Sequence, residues 1–119
     1  MSAPRLEIHL ERLQHNARTL VERLGQQGIT VTGVSKATLG DADIVRTWVA
    51  AGIGSIGESR IESIEALAAS GVSVPMLLIR APMLSQVERV VAHAAISCNS
   101  EPLVLEALAR TAERQGVRH

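Results

Sequence analysis

Lysine is almost missing from this chain: of twelve Lys plus Arg in 119 residues, eleven are Arg and only Lys36 is Lys. Arg stays protonated in a protein, whereas a Lys in a partly dry pocket can lose its proton and attack a carbonyl as a neutral amine. Aromatic residues are as scarce, with one Trp and no Tyr or Phe. With zero formal net charge and no basic stripe, the chain lacks both the stacking platform and the electrostatic footprint of a nucleic-acid binder. A single Cys excludes an internal disulfide and fits a reducing cytoplasm. Apolar runs reach only about six residues, far short of a membrane span. The start, Met-Ser-Ala-Pro-Arg-Leu-Glu, carries charges where a secretory signal needs an apolar stretch. HExxH, CxxC and zinc spacing among His9, His15, His93 and His119 are absent, so no metal site is expected. Neither GxGxxG nor GxxxxGK[ST] follows a strand, which argues against dinucleotides and nucleotides.

What is present is a rhythm. Hydrophobic residues make up 46% of the chain, enough for one compact core. Leu6 to Leu10 reads as a strand. Leu10, Leu13, Ala17, Leu20, Val21 and Leu24 then recur at three and four, which is one helix face. Ile29 to Ser35 is β-branched and reads as a second strand. Asp41 and Asp43 suit a helix start before the stripe Ile44, Val45, Trp48, Val49. Ile53 to Gly57 is a third strand, and Ser59 with Glu62 has capping-box spacing before Ile61, Ile64, Leu67 and Ala68. Met76 to Ile79 is apolar without alternation, as in a strand covered on both faces. Ser85 and Glu88 repeat the capping spacing, Ala95 to Cys98 is a fifth strand, and Ser100-Glu101-Pro102 opens a last helix. Strand followed by helix, five times over, argues for a parallel sheet with right-handed crossovers. Two architectures fit, a doubly wound open sheet or part of an eight-fold β/α barrel of the TIM type.

In either architecture the reactive edge is the carboxyl end of the strands. The polar residues expected there are Lys36, Glu58, Arg80 and Asn99. Each has an ordinary reading as well. Glu58 can serve the helix dipole, Arg80 can be a loop cation or pair with Glu58, and Asn99 can bond its own turn. Cys98 reads as a small buried hydrophobe rather than a nucleophile.

The context of Lys36 carries a resemblance. Pro4-Arg5-Leu6-Glu7-Ile8 with Asn16, followed by Val31-Thr32-Gly33-Val34-Ser35-Lys36-Ala37, resembles the start of the alanine racemase family, fold type III enzymes that use pyridoxal 5'-phosphate (PLP). Ile56-Gly57-Glu58-Ser59-Arg60-Ile61-Glu62, Leu78-Ile79-Arg80-Ala81-Pro82-Met83-Leu84-Ser85 and Ser97-Cys98-Asn99-Ser100-Glu101 are similar to its ornithine racemase-like branch. The similarity runs over nearly all of the chain. It implies that residues 1–119 are the N-terminal part of a PLP-binding barrel, with about five of eight β/α units present. It implies that Lys36 forms the Schiff base with PLP and is one of two proton-transfer groups, with Asn99 a neighbour of the cofactor ring. The implied substrate is a small molecule, an amino acid, with a basic one such as ornithine ahead of alanine. The full-length protein is expected to be a cytoplasmic homodimer. A second acid or base and the phosphate-holding loops are not among these residues, so residues 1–119 alone are expected neither to bind PLP tightly nor to racemise an amino acid. Two other readings stay open: a PLP-binding homeostasis protein of the same superfamily without turnover, and a non-catalytic α/β interaction domain.

Overall fold

The computed structural model describes residues 1–119. Helix α1 spans Leu10–Gly25 and packs along helix α2, Ala42–Ala50. Strand β1, Thr32–Val34, lies between them in the chain, and a 3-10 turn over Lys36–Thr38 follows it at once. Strand β2 (Ser55–Glu58), helix α3 (Ile61–Ala69), strand β3 (Met76–Leu78), a second 3-10 turn (Leu84–Gln86), helix α4 (Val87–His93), strand β4 (Ile96–Ser97) and helix α5 (Pro102–Gln115) come next.

All pairings are parallel and the strands lie side by side in chain order, β1-β2-β3-β4. That order decides between the two architectures. A doubly wound sheet reverses direction at a switch point, whereas an arc of a barrel adds each strand to the same side. This sheet never reverses, so the fold is a partial parallel β/α barrel.

Alternation along the strands sends Ile56, Glu58, Met76 and Leu78 toward the helices, where they are buried. Thr32, Val34 and Ile96 lie on the other face and are exposed, Ile96 at 59%. The core of 18 buried apolar residues therefore sits in one layer between sheet and helices. Ile56, Ile64, Val45 and Val90 are fully buried there, each contributing about 1.5–3 kcal/mol by leaving water.

Local chemistry explains the helix ends. The Asp41 carboxylate accepts from the N–H groups of Asp43 and Ile44 at 3.0 and 3.1 Å and caps α2. Pro102 occupies the first turn of α5, where a missing N–H costs nothing. Helices α3 and α4 are tied by Arg89, whose Nε and Nη2 reach the two Glu65 oxygens at 2.8 and 2.5 Å. That hydrogen bond is the main reason the Glu65 carboxyl is held below its ordinary value, with the Arg89 and His93 charges adding to it and burial opposing it. The same bond raises the Arg89 guanidinium.

Three expectations are corrected. Leu6 to Leu10 is not a strand: residues 1–9 have no regular structure, Leu6 is 84% exposed, and α1 already begins at Leu10. A strand needs a ladder partner, and the segment's backbone bonds run only from Arg12 and Leu13 to His9, not to the free edge of β1. The sheet thus has four strands instead of five. Of the expected α1 face only Ala17 is buried, because α1 packs on α2 at the sheet's edge and Leu20 is left in the open. Neither capping box forms: α3 starts after Arg60 and α4 after Gln86, with no side-chain cap on either. Ser59 and Ser85 stand one residue too early to serve.

Candidate functional site

Ser35 is the hub from which the carboxyl edge of β1 is built. Its N–H donates to Gly57 O on β2 at 3.2 Å, continuing the sheet by one residue. Its carbonyl then accepts from the Thr38 and Gly40 N–H groups at 3.0 and 3.1 Å, and from the Thr38 hydroxyl at 3.0 Å. Its hydroxyl donates to Glu58 Oε1. Three bonds onto one carbonyl curl the chain sharply, and Lys36 is the first residue of that curl.

Ser35 holds φ −99° and ψ 10°, the sparsely populated bridge region. Leu39 has φ 54°, the only non-glycine residue with a left-handed backbone, and it is 74% exposed. A left-handed L-residue costs about 1–2 kcal/mol, and a buried site elsewhere must hold such a turn in place. Lys36 itself is exposed, directly beyond β1 on the carboxyl edge of the sheet.

Lys36, Arg80 and Asn99 follow their strands and Glu58 ends its own, but the four do not converge. Glu58, the last residue of β2, turns into the helix layer and is 1% exposed. It caps nothing; its one side-chain partner is Ser35. Arg80 is exposed beyond β3 and makes no ion pair with Glu58. Asn99 does bond its own turn: Nδ2 donates to Ser97 O at 3.2 Å and to Ser97 Oγ at 2.9 Å. Its Oδ1 is buried without a partner. Cys98 is exposed, not a buried hydrophobe, because β4 is an edge strand.

Beside Asn99 a cavity of about 600 Å³ opens between β4 and α5, bounded by Ser97, Asn99, Leu105, Leu108 and His119. The His119 ring lines it, with Nε2 2.7 Å from Ser97 Oγ and Nδ1 3.0 Å from Ala94 O. No motif signals that contact, since it joins positions far apart in the chain. Glu58 was legible in principle: a period of two from Ile56 assigns both residues to one face.

A free primary amine on the carboxyl edge of a parallel sheet, with an orphaned amide oxygen three strands further on, fits an aldehyde cofactor carrying hydrogen-bonding groups.

Known proteins point the same way. The family model for the alanine racemase N-terminal domain matches residues 8–119. The chain is 42% identical over 93 residues to a lysine racemase of Thermotoga maritima, covering 78% of this chain and 26% of that protein. It is 33% identical over 111 residues to an ornithine racemase of Acetoanaerobium sticklandii, covering 92% and 31%. The chain therefore spans between a quarter and a third of the length of these relatives. Among solved structures, PipY, the COG0325 family member of Synechococcus elongatus PCC7942, with PLP bound, superimposes with a TM-score of 0.70 at 22% identity, over 84% of this chain and 50% of PipY. No helix is long and apolar enough to cross a membrane.

Proposed function

The chain belongs to the alanine racemase N-terminal domain family, and from that premise we propose that it is the Lys36-bearing part of a PLP-dependent amino-acid racemase. The observation that carries this reading is the position of the only lysine: exposed, in the turn directly after β1, on the edge where barrels do chemistry. Residues 1–119 are read as the N-terminal part of the barrel domain. A cytoplasmic homodimer is the working assembly.

Lys36 holds the cofactor through its amine, and Asn99 offers its unpartnered Oδ1 to a donor beside the ring. PLP, when bound, supplies the electron sink that makes an α-proton labile. The Lys36 amine moves that proton on one face of the amino acid. Inversion needs a second group on the opposite face. None of the residues on this carboxyl edge is assigned that role, and we place it in the portion of the relatives that this chain does not span. The substrate is a basic amino acid, lysine or ornithine, a reading supported by the names of the two relatives.

The test is chemical. The full-length protein is incubated with PLP and treated with borohydride, which delivers hydride to the carbon joined to the amine after water has left. Mass spectrometry should find one phosphopyridoxyl group, on the peptide bearing Lys36, and none in Lys36→Arg. Equal labelling of the two, or none of the parent, overturns the reading. A second reading, a PLP carrier without turnover, is favoured by the shared fold with PLP-bound PipY. Labelling of Lys36 without racemisation of lysine or ornithine by the full-length protein selects it.

A further inference from the structure

We propose that Glu58 is a positioning residue for Lys36, acting through Ser35: its buried carboxyl clamps the two ends of the Ser35–Gly40 turn that carries the amine. The chemical role of Lys36 rests on the function proposed above; the clamp itself does not.

Glu58 and Ser35 are each 1% exposed. A carboxyl group in a layer of Ile56, Ile61 and Ile64 is far more costly than the aliphatic residue that would pack there, so its presence needs a use. Its side chain has one hydrogen-bond partner, the Ser35 hydroxyl at the start of the turn. At the other end it lies beside Gly40, together with Ser63: a Cβ built on Gly40 would come 3.2 Å from Ser63 Cβ and 3.3 Å from Glu58 Oε1. Gly40 has φ +69°, so the residue that fits against the carboxyl is also one that accepts the left-handed backbone there. The carboxyl thus grips Ser35 and abuts Gly40, and the intervening residues include Lys36 and the strained Leu39. Ser35 transmits the grip, because its carbonyl receives the bonds from Thr38 and Gly40 that shape the turn. A bonded carboxyl beneath a strained turn fixes the amine's direction without touching it.

The experiment compares the full-length parent protein with its Ser35→Ala, Glu58→Leu and Glu58→Gln variants. Hydrogen exchange is followed at the Thr38 and Gly40 amides, with Ile64 in α3 as the reference for the whole fold. Adduct formation at Lys36 with PLP and borohydride is timed in parallel. Thr38 and Gly40 should exchange about tenfold faster in Ser35→Ala and Glu58→Leu, the lower end of what an orphaned buried group costs, while Ile64 keeps its protection. Glu58→Gln, whose amide oxygen can still accept from Ser35, should restore the parent rates to within about twofold. Labelling of Lys36 should slow about tenfold in the same two variants and recover in Glu58→Gln. If Thr38 and Gly40 exchange at parental rates, or rise only in step with Ile64, the clamp is refuted and Glu58 is merely a stabiliser of the fold. If the exchange pattern holds but no variant, nor the parent, is labelled, the clamp stands and the PLP reading fails. Ser35→Ala removes one oxygen, so it keeps the comparison usable where Glu58→Leu folds poorly.

Discussion

A Cβ placed on Gly33 would lie 2.9 Å from Cε3 of Trp48, closer than real side-chain contacts allow. Strand β1 and helix α2 are therefore in direct touch three residues before Lys36. Gly33→Ala should destabilise the chain by about 1–3 kcal/mol, the usual cost of overpacking. Because Trp48 is the only fluorophore of its kind, its emission during urea unfolding gives the measurement. A second change, Trp48→Leu, should recover part of the loss, since the two positions share one contact. Unfolding would then be followed by circular dichroism.

Leu39 carries a left-handed backbone with its side chain in solvent, so nothing on the leucine side chain repays the conformation. Leu39→Asn should raise stability by about 0.5–1 kcal/mol, because Asn tolerates that region. A lower urea midpoint for this variant would mean that the leucine is packed against something.

Stability should fall in acid partly through Glu65. Its folded carboxyl is held below the ordinary value by Arg89, so the unfolded chain takes up that proton first. The contribution is fully present above the ordinary carboxylate value and is lost as pH falls through the lowered, folded one. Urea midpoints measured from about pH 7 down to about pH 2 should show a shallower acid limb in Glu65→Gln than in the parent. Parallel limbs would remove Glu65 from the account. Both side chains are partly in water, so added salt should shrink the difference.

Asn99 offers a cleaner separation of fold from site. One half of its amide is bonded within its own turn and the other half has no partner. Asn99→Ala should cost no more than about 1 kcal/mol of stability, since losing those bonds also removes an orphaned acceptor. If Oδ1 meets the cofactor, PLP labelling of Lys36 should weaken severalfold in the same variant. Unchanged labelling would confine Asn99 to turn formation.

Most of the layer structure was readable from spacing alone. The apolar stripes of α2, α3 and α5 and the β-branched run before Lys36 each carry their own period, which is local information. Strand order is not local: the barrel arc was separated from a doubly wound sheet only by seeing that β1-β2-β3-β4 never turns back. Leu6 to Leu10 failed for the same reason, since its sequence suits a strand but its edge partner is a tertiary fact. The two serine caps failed by one residue each, a shift that no motif resolves. Glu58 reads as an edge group because the strand Ile53 to Gly57 stops one residue short of it; the strand in fact runs on to Glu58, and alternation from Ile56 assigns it to the interior.

The bare inner face of the sheet has a bearing on reactivity. Val34 and Ile96 stand in water on the side away from the helices, the side that would become the lumen of a closed barrel. Whatever roofs that hollow governs how dry the amine's surroundings become, and dryness governs how readily an ammonium gives up its charge. On the function proposed for Lys36, Ser35 and Glu58 aim the amine, and its arming is left to the opposite wall.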